Sequence, residues 1–260
     1  QLKKQFETEL FTFNMPLPDK RPEIPGLELN DFMKERFHKW MGDGMSPSAI
    51  NKMLTCERNF TYRYLLKLSE PTDLEESIQS NTLGSIVHKV FEEGLKKTAL
   101  NVTLNESHLK DILSQVDELL ADAIAEEYKY GPSDRGENFL LIRSARSTIK
   151  KILQREISEL NKDGCHITIT GLEEQIDATY TLKDGSEIKF FGMADRVEKI
   201  DGVTRVVDYK TGQATQSELN LKDSNTGEWD GEEGKLNRGK ASKALQLLVY
   251  CAMLLKRDEN

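Results

Sequence analysis

The run "VTRVVDYKTG", residues 203 to 212, carries Asp208 and Lys210 two positions apart among β-branched residues. Along an extended strand side chains alternate between faces, so these two project to one side, a carboxylate beside an ammonium. On an isolated strand such a pair is usually a solvated ion pair of small energetic consequence. The preceding run "GMADRVEKIDG" supplies Asp195, and the Asp201-Gly202 dipeptide between the two runs is a tight-hairpin signal. Neighbouring antiparallel strands would bring Asp195 and Asp208 to one end of a sheet, within reach of a single cation. Hard cations such as Mg²⁺ take carboxylate, carbonyl and water oxygens, so two aspartates beside a lysine could activate water against a phosphodiester.

Other candidates are scattered along the chain. "GLEEQID" offers Glu173 or Glu174, and the local spacing does not choose between them. "GSIVHKVFEEG" places His88 one helical turn before Glu92, and "ALQLLVYCAM" sets Gln246 and Tyr250 at i and i+4, on one helix face. Each alone has an ordinary explanation: a packed histidine, solvated glutamates, a hydrogen-bonded pair. Arg143, Arg146 and Lys150, and separately Arg63 and Lys67, are spaced to contact phosphates. Helix faces paired with acids such as Glu137 or Glu156 account for them equally well.

The elements that must hold these residues change character halfway. Ser46 is a fitting N-cap with Pro47 at the first helical position, opening a helix in "SPSAINKMLTCERNFTYRYLLKL". "TLGSIVHKVFEEGLKK", 106 to 128 and 137 to 162 read as further helices. From Cys165 onward "CHITITGLEEQIDATYTL", "SEIKFFGMADRVEKI" and "VTRVVDYKTG", joined by "KDGS" and "IDGV", read as an antiparallel meander of three strands. The stretch 213 to 237 has six carboxylates against two lysines and reads as a loop or insertion. The run 241 to 257 reads as a largely buried helix. Residues 1 to 44, with "NMPLPDKRPEIPG", read as a linker or the tail of a preceding domain. This leaves 45 to 260 as one domain, helical over 46 to 162, with the sheet and last helix over 163 to 257.

A chain of 260 residues with 31% charged and 7% aromatic residues is neither disordered nor membrane-like, and no apolar run or export signal stands out. A cytoplasmic location without membrane contact is expected. The net charge of -8 argues against a simple nucleic-acid coat, while leaving room for a local basic groove in an enzyme. Cys56, Cys165 and Cys251 lie far apart with no C-x-x-C spacing, which suits a reducing compartment and offers neither a disulfide framework nor a zinc site. Beginning at Gln1 and stopping at Asn260 just after an apolar run, the chain reads as a piece of a longer polypeptide.

Taken in order, "GSIVHKVFE", "LEEQI", "GMADRVEKIDGVTRVVDYKTG" and "QLLVY" resemble the PD-(D/E)xK nucleases of the RecB and AddB kind, found in recombination helicase-nucleases and CRISPR-associated exonucleases. The resemblance covers residues 46 to 256, and its most specific part pairs G-x-x-D-R with D-Y-K-T-G. It implies an α/β, restriction-endonuclease-like core, a mixed sheet flanked by helices, with an added helical region. It implies Mg²⁺-dependent hydrolysis of DNA, with Mn²⁺ as an alternative ion, exonucleolytic rather than endonucleolytic, in a recombination-repair protein with a helicase partner or domain. Position by position, His88, Asp195 and Asp208 become metal ligands together with the Tyr209 carbonyl, and Lys210 the catalytic lysine. Glu173, with Glu174 as the alternative, becomes the first-strand acid, and Gln246 and Tyr250 become the Q-x-x-x-Y pair that lines the DNA and steadies the site. AddB-type nucleases often carry an iron-sulfur cluster whose first cysteine Cys56 would match, but Cys251 lacks the needed spacing. A cluster is not expected in this chain, and Cys56 reads as a packed thiol. The rival readings are a stand-alone CRISPR-type exonuclease and a non-catalytic DNA-binding or scaffolding module that kept the fold.

Overall fold

In the computed structural model the described residues are 30–69, 75, 77–129, 131–163, 166–212, 214–219 and 241–258. Helix α1 (Asp31–Asp43) is capped by Asn30, whose side chain accepts a hydrogen bond from the Met33 amide. Met33, Phe37 and Trp40 recur at helical spacing and pack with Phe60 and Leu65. This helix falls inside the stretch that the sequence suggests as a linker: the prolines of 16 to 25 mask an amphipathic segment that starts only after them. Residues 1–29 and Cys165 lie outside the described residues, as does most of the acidic stretch.

Ser46 caps α2 (Pro47–Thr55) as its sequence predicts, accepting from the Ala49 amide at 3.2 Å. The helix does not run on to Leu68, because Cys56 is extended and interrupts it. A short α3 (Glu57–Phe60) and a π-helical turn (Thr61–Leu65) follow. The Cys56 thiol is exposed rather than packed; an interrupted helix turns the residue at the break outward.

Helices α4 (Ser80–Thr98), α5 (Glu106–Glu127) and α6 (Gly136–Asp163) form a layer whose core includes Ile86 and Phe91, Ile112, and Leu153. A Cβ at Gly94 would lie 2.8 Å from an Ile112 methyl, so α4 and α5 approach through that glycine. The described sheet is the expected meander, β1 (Ile167–Thr181), β2 (Glu187–Ile200) and β3 (Val203–Val207), antiparallel in the order β1-β2-β3. Its second hairpin turns at Asp201 (φ 49°) and Gly202 (φ 89°), left-handed at both positions as a two-residue turn of the strand-matching hand requires. Isolated parallel bridges join Leu100 to Ile169 and Met45 to Phe190, giving the sheet margins their mixed character.

After a single turn, α7 (Gln216–Leu219), α8 (Ser242–Asp258) packs on the sheet face opposite the α4–α6 layer, through Ala178, Ala194, Tyr250, Met253 and Leu254. The expectation that α8 is largely buried fails: Leu248, Cys251 and Leu255 are exposed. A continuous apolar run carries no polar stripe to show which side faces water. Among the described residues no helix is long and apolar enough to cross a membrane.

Between the sheet and α6 lies a buried charge network. Arg196 (2% exposed) donates to Glu198 (0% exposed) at 2.6 Å, to Glu156 of α6 at 3.1 Å, and to the Tyr209 hydroxyl at 3.3 Å; Glu198 also receives Arg205. Removing one partner of such a set strands a desolvated charge. Arg196→Met is therefore expected to destabilise the fold by about 3 to 5 kcal/mol, with partial recovery when Glu198→Leu is added. Urea unfolding checks this, and a loss below about 1 kcal/mol would contradict it.

Candidate active site

The site starts from a break in the strand alternation. Leu172 packs into the helical layer, while Glu174 reaches the other side, where Arg257 of α8 donates to it at 2.6 Å. Between them Glu173 has φ 43°, a left-handed conformation that non-glycine residues hold only when their surroundings impose it. The kink lets both Leu172 and Glu173 face the helices. Glu173 thereby meets His88 of α4, with 3.6 Å between its carboxylate and Nδ1. The two glutamates that sequence could not tell apart thus have different surroundings.

On β2, Asp195 lies between the paired positions Leu172–Arg196 and Glu174–Ala194, opposite the kink. One carboxylate oxygen is 3.5 Å from His88 Nδ1, and the other accepts the Tyr209 amide at 2.6 Å. Strand β3 ends at Val207, so Asp208, Tyr209 and Lys210 lie just past it. Tyr209 is buried, its ring stacked on Phe91 at 4.4 Å and its hydroxyl against Arg196. That anchorage aims its backbone into the site: besides the amide on Asp195, the carbonyl lies 3.0 Å from His88 Nε2.

Asp208 does not join the histidine cluster. One of its oxygens takes the Lys210 ammonium at 2.5 Å and the other the Gln246 amide at 3.0 Å. Tyr250, on the same face of α8, is buried and donates to the Met193 carbonyl at 2.6 Å. It ties α8 to β2 and does not touch the acids. Glu92 turns away to Lys89. Arg146 and Lys150 reach Asp117 of α5, at 2.9 and 3.5 Å, in the ion-paired arrangement that their helix spacing also allows.

Burial pushes the Asp195 carboxyl up to about 6, and the neighbouring Asp208 and Glu173 charges add to the shift against the opposing pull of His88 and the Tyr209 amide. His88 is raised above its ordinary value, chiefly by the Glu173 carboxylate and with burial opposing. A crowd of acids that resists ionisation when empty is an arrangement a cation would relieve. Donor atoms of His88, Glu173 and Asp195 all lie within 4.8 Å of one another. With the Tyr209 carbonyl alongside, this oxygen-rich set with one imidazole fits a hard divalent ion such as Mg²⁺ or Mn²⁺.

Sequence reasoning missed the support beneath these residues. Arg196, Glu198 and Glu156 fix Tyr209 and the end of β2, and their only signal was a pair of charges inside the otherwise strand-like "MADRVEKI". The comparisons with known proteins agree with the geometry. An ATP-dependent helicase/deoxyribonuclease subunit of Clostridium novyi (strain NT) is 25% identical over 248 residues, covering 89% of this chain. The chain spans 20% of that relative's length. Residues 44–260 match the family model of the PD-(D/E)XK nuclease superfamily, and with most of the chain so matched, the chain belongs to that superfamily.

Proposed function

We propose that this chain is a divalent-cation-dependent deoxyribonuclease, the nuclease part of a helicase-associated recombination-repair protein. The observation that carries the reading is the convergence of His88, Glu173 and Asp195, from α4, β1 and β2, on the Tyr209 carbonyl, next to the Asp208–Lys210 pair. His88, Glu173, Asp195 and the Tyr209 carbonyl would hold the ion, with Asp208 the acid beside them. A bound ion would supply Lewis-acid polarisation of the phosphate and a water of lowered pKa.

The chain's own residues do the rest. Lys210, 36% exposed and tethered to Asp208, presents an ammonium to the attacking water or to charge gathering on the phosphate. Gln246 fixes the other oxygen of Asp208, so the tether has one orientation. Tyr250 fastens α8, which carries Gln246, to β2. Arg196 and Phe91 hold Tyr209 so that its amide and carbonyl bracket Asp195 and His88.

The relative's printed name supports DNA as substrate and a helicase as partner, and exonucleolytic action is preferred to endonucleolytic. A stand-alone exonuclease and a non-catalytic DNA-binding module are the rivals. Incubation of end-labelled linear DNA with the chain in Mg²⁺, with EDTA as control, separates the enzyme from the module: metal-dependent shortening is expected, and intact DNA at high enzyme concentration would overturn the proposal.

His88 separates ligand from packing. His88→Ala is expected to weaken Mn²⁺ affinity at least tenfold by titration calorimetry. The metal-free melting temperature should change little, because the ring is partly exposed and lies at the edge of the core. A large drop in melting temperature with unchanged ion affinity would make it a packing residue.

A further inference from the structure

The sheet face that carries Asp195 is open beyond it. Gly192 and Ala194 face α8, where a Cβ at Gly192 would lie 2.7 Å from the Tyr250 ring and Ala194 packs with the same helix. Phe191 and Met193 therefore point the other way, to the side of Asp195, and they are 40% and 48% exposed. Large apolar side chains left in water beside an active site call for an occupant. Successive positions on this strip are about 7 Å apart, two residues of strand.

The far end of the strip runs into a cleft of about 410 Å³ between α1, the π-helical turn and β2, lined by Arg36, Lys39, Arg63, Lys67 and Phe191 among others. Asp43 is the one carboxylate in that lining, so the cleft is basic on a chain of net charge -8. Arg36 Nε is enclosed with no hydrogen-bond partner among the described residues. The aromatic end is held from behind. Gly44, at φ 126°, lies so close to Phe191 that a Cβ there would stand 2.7 Å from the ring, and Met45 is hydrogen-bonded to the backbone of Lys189 and Phe191. A basic lining that passes into exposed, braced apolar side chains matches the two needs of a single strand of nucleic acid, charge for its phosphates and flat surfaces for its bases.

We propose that this strip is a track for single-stranded DNA. Phosphates lie on Lys39, Arg63 and Lys67, bases stack on Phe191 and Met193, and the strand is led along β2 to Asp195. The proposal rests on the nuclease reading and assigns the substrate of the same site. A duplex hides the faces of its bases, so stacking on Phe191 selects unpaired strands.

The test is fluorescence anisotropy in EDTA, which prevents cleavage, with a labelled oligothymidylate and a hairpin duplex as probes. Phe191→Ala is expected to weaken binding of the single strand about tenfold and of the duplex less than twofold. Lys39→Glu with Arg63→Glu, both at exposed side chains, should weaken single-strand binding and flatten its salt dependence by a log-log slope of about one. Single-strand affinity unchanged by the charge reversals overturns the track, and equal losses on both probes for Phe191→Ala overturn the choice of single strands. Cleavage of the same oligothymidylate by the unaltered chain in Mg²⁺ reports on the nuclease reading separately. Cleavage with variant-insensitive binding sinks the track alone, while variant-sensitive binding without cleavage sinks the nuclease alone.

Discussion

Lys210→Met should leave DNA and metal binding nearly as in the unaltered chain and lower single-turnover cleavage on the order of 100-fold or more. Methionine keeps most of the lysine stem and removes its charge. The Lys210 ammonium lies 2.5 Å from an Asp208 oxygen whose partner oxygen is held by Gln246, so its position is set before substrate arrives. Groups fixed in advance where charge develops act on the transition state and little on binding. Lys210→Arg keeps the charge but replaces a compact ammonium by a wide planar fork, and should rescue poorly. If the pair were only an ion pair at the sheet end, its loss would remove at most about 1 kcal/mol of stability and leave turnover alone. A Lys210→Met rate within a few-fold of the unaltered chain, at saturating enzyme, would return this lysine to that role.

Asp195→Asn is expected to abolish detectable cleavage and yet make the metal-free protein more stable. Asp195 is buried, and its carboxyl in the folded chain is pushed up to about 6 against an ordinary value of 3.8. Because the folded value is the higher one, the unfolded chain gives up its proton first. The metal-free fold therefore loses stability as pH rises from about 4 to about 6, and the full penalty, about 3 kcal/mol, remains above that. Asparagine keeps an acceptor for the Tyr209 amide and removes the charge. At pH 7.5 the melting temperature of the variant in EDTA should rise by about 5 °C, and the slope of stability against pH between 4 and 6 should flatten. Excess Mn²⁺ should stabilise the unaltered chain and not the variant, since an ion stabilises only the state that binds it. A metal-free variant that melts below the unaltered chain at pH 7.5 would show that Asp195 stabilises the empty site and would remove the physical basis of this prediction.

Some of this was legible in the residues. Asp201-Gly202 marks the hairpin that places "MADRVEKI" beside "VTRVV", and the strand alternation predicts the pairing of Asp208 with Lys210 even though both lie just past the end of β3. Gln246 at the expected helix spacing does reach Asp208. Other parts were hidden for physical reasons. Glu173 and Glu174 are equivalent on a regular strand, and only a left-handed backbone at Glu173, which no residue type announces, sends one toward His88 and the other toward Arg257. The α1 helix was masked by the prolines before it, and the wet side of α8 by its unbroken apolar run. Arg196 and Glu198 look solvated in a one-dimensional reading, because charges on a strand normally face water; their burial depends on Glu156, from a helix some forty residues earlier. The exposure of Phe191 and Met193 likewise follows from which sheet face α8 covers, and sequence does not state that.

The central claim is that three side chains from three separate elements hold one divalent ion. Crystals of the chain soaked in Mn²⁺ and measured at the manganese absorption edge test it without reference to activity. The account predicts an anomalous peak about 2.1 Å from a His88 ring nitrogen, from carboxylate oxygens of Glu173 and Asp195, and from the Tyr209 carbonyl. No peak there at an ion concentration that supports DNA cleavage, or a peak that touches none of His88, Glu173 and Asp195, would contradict it.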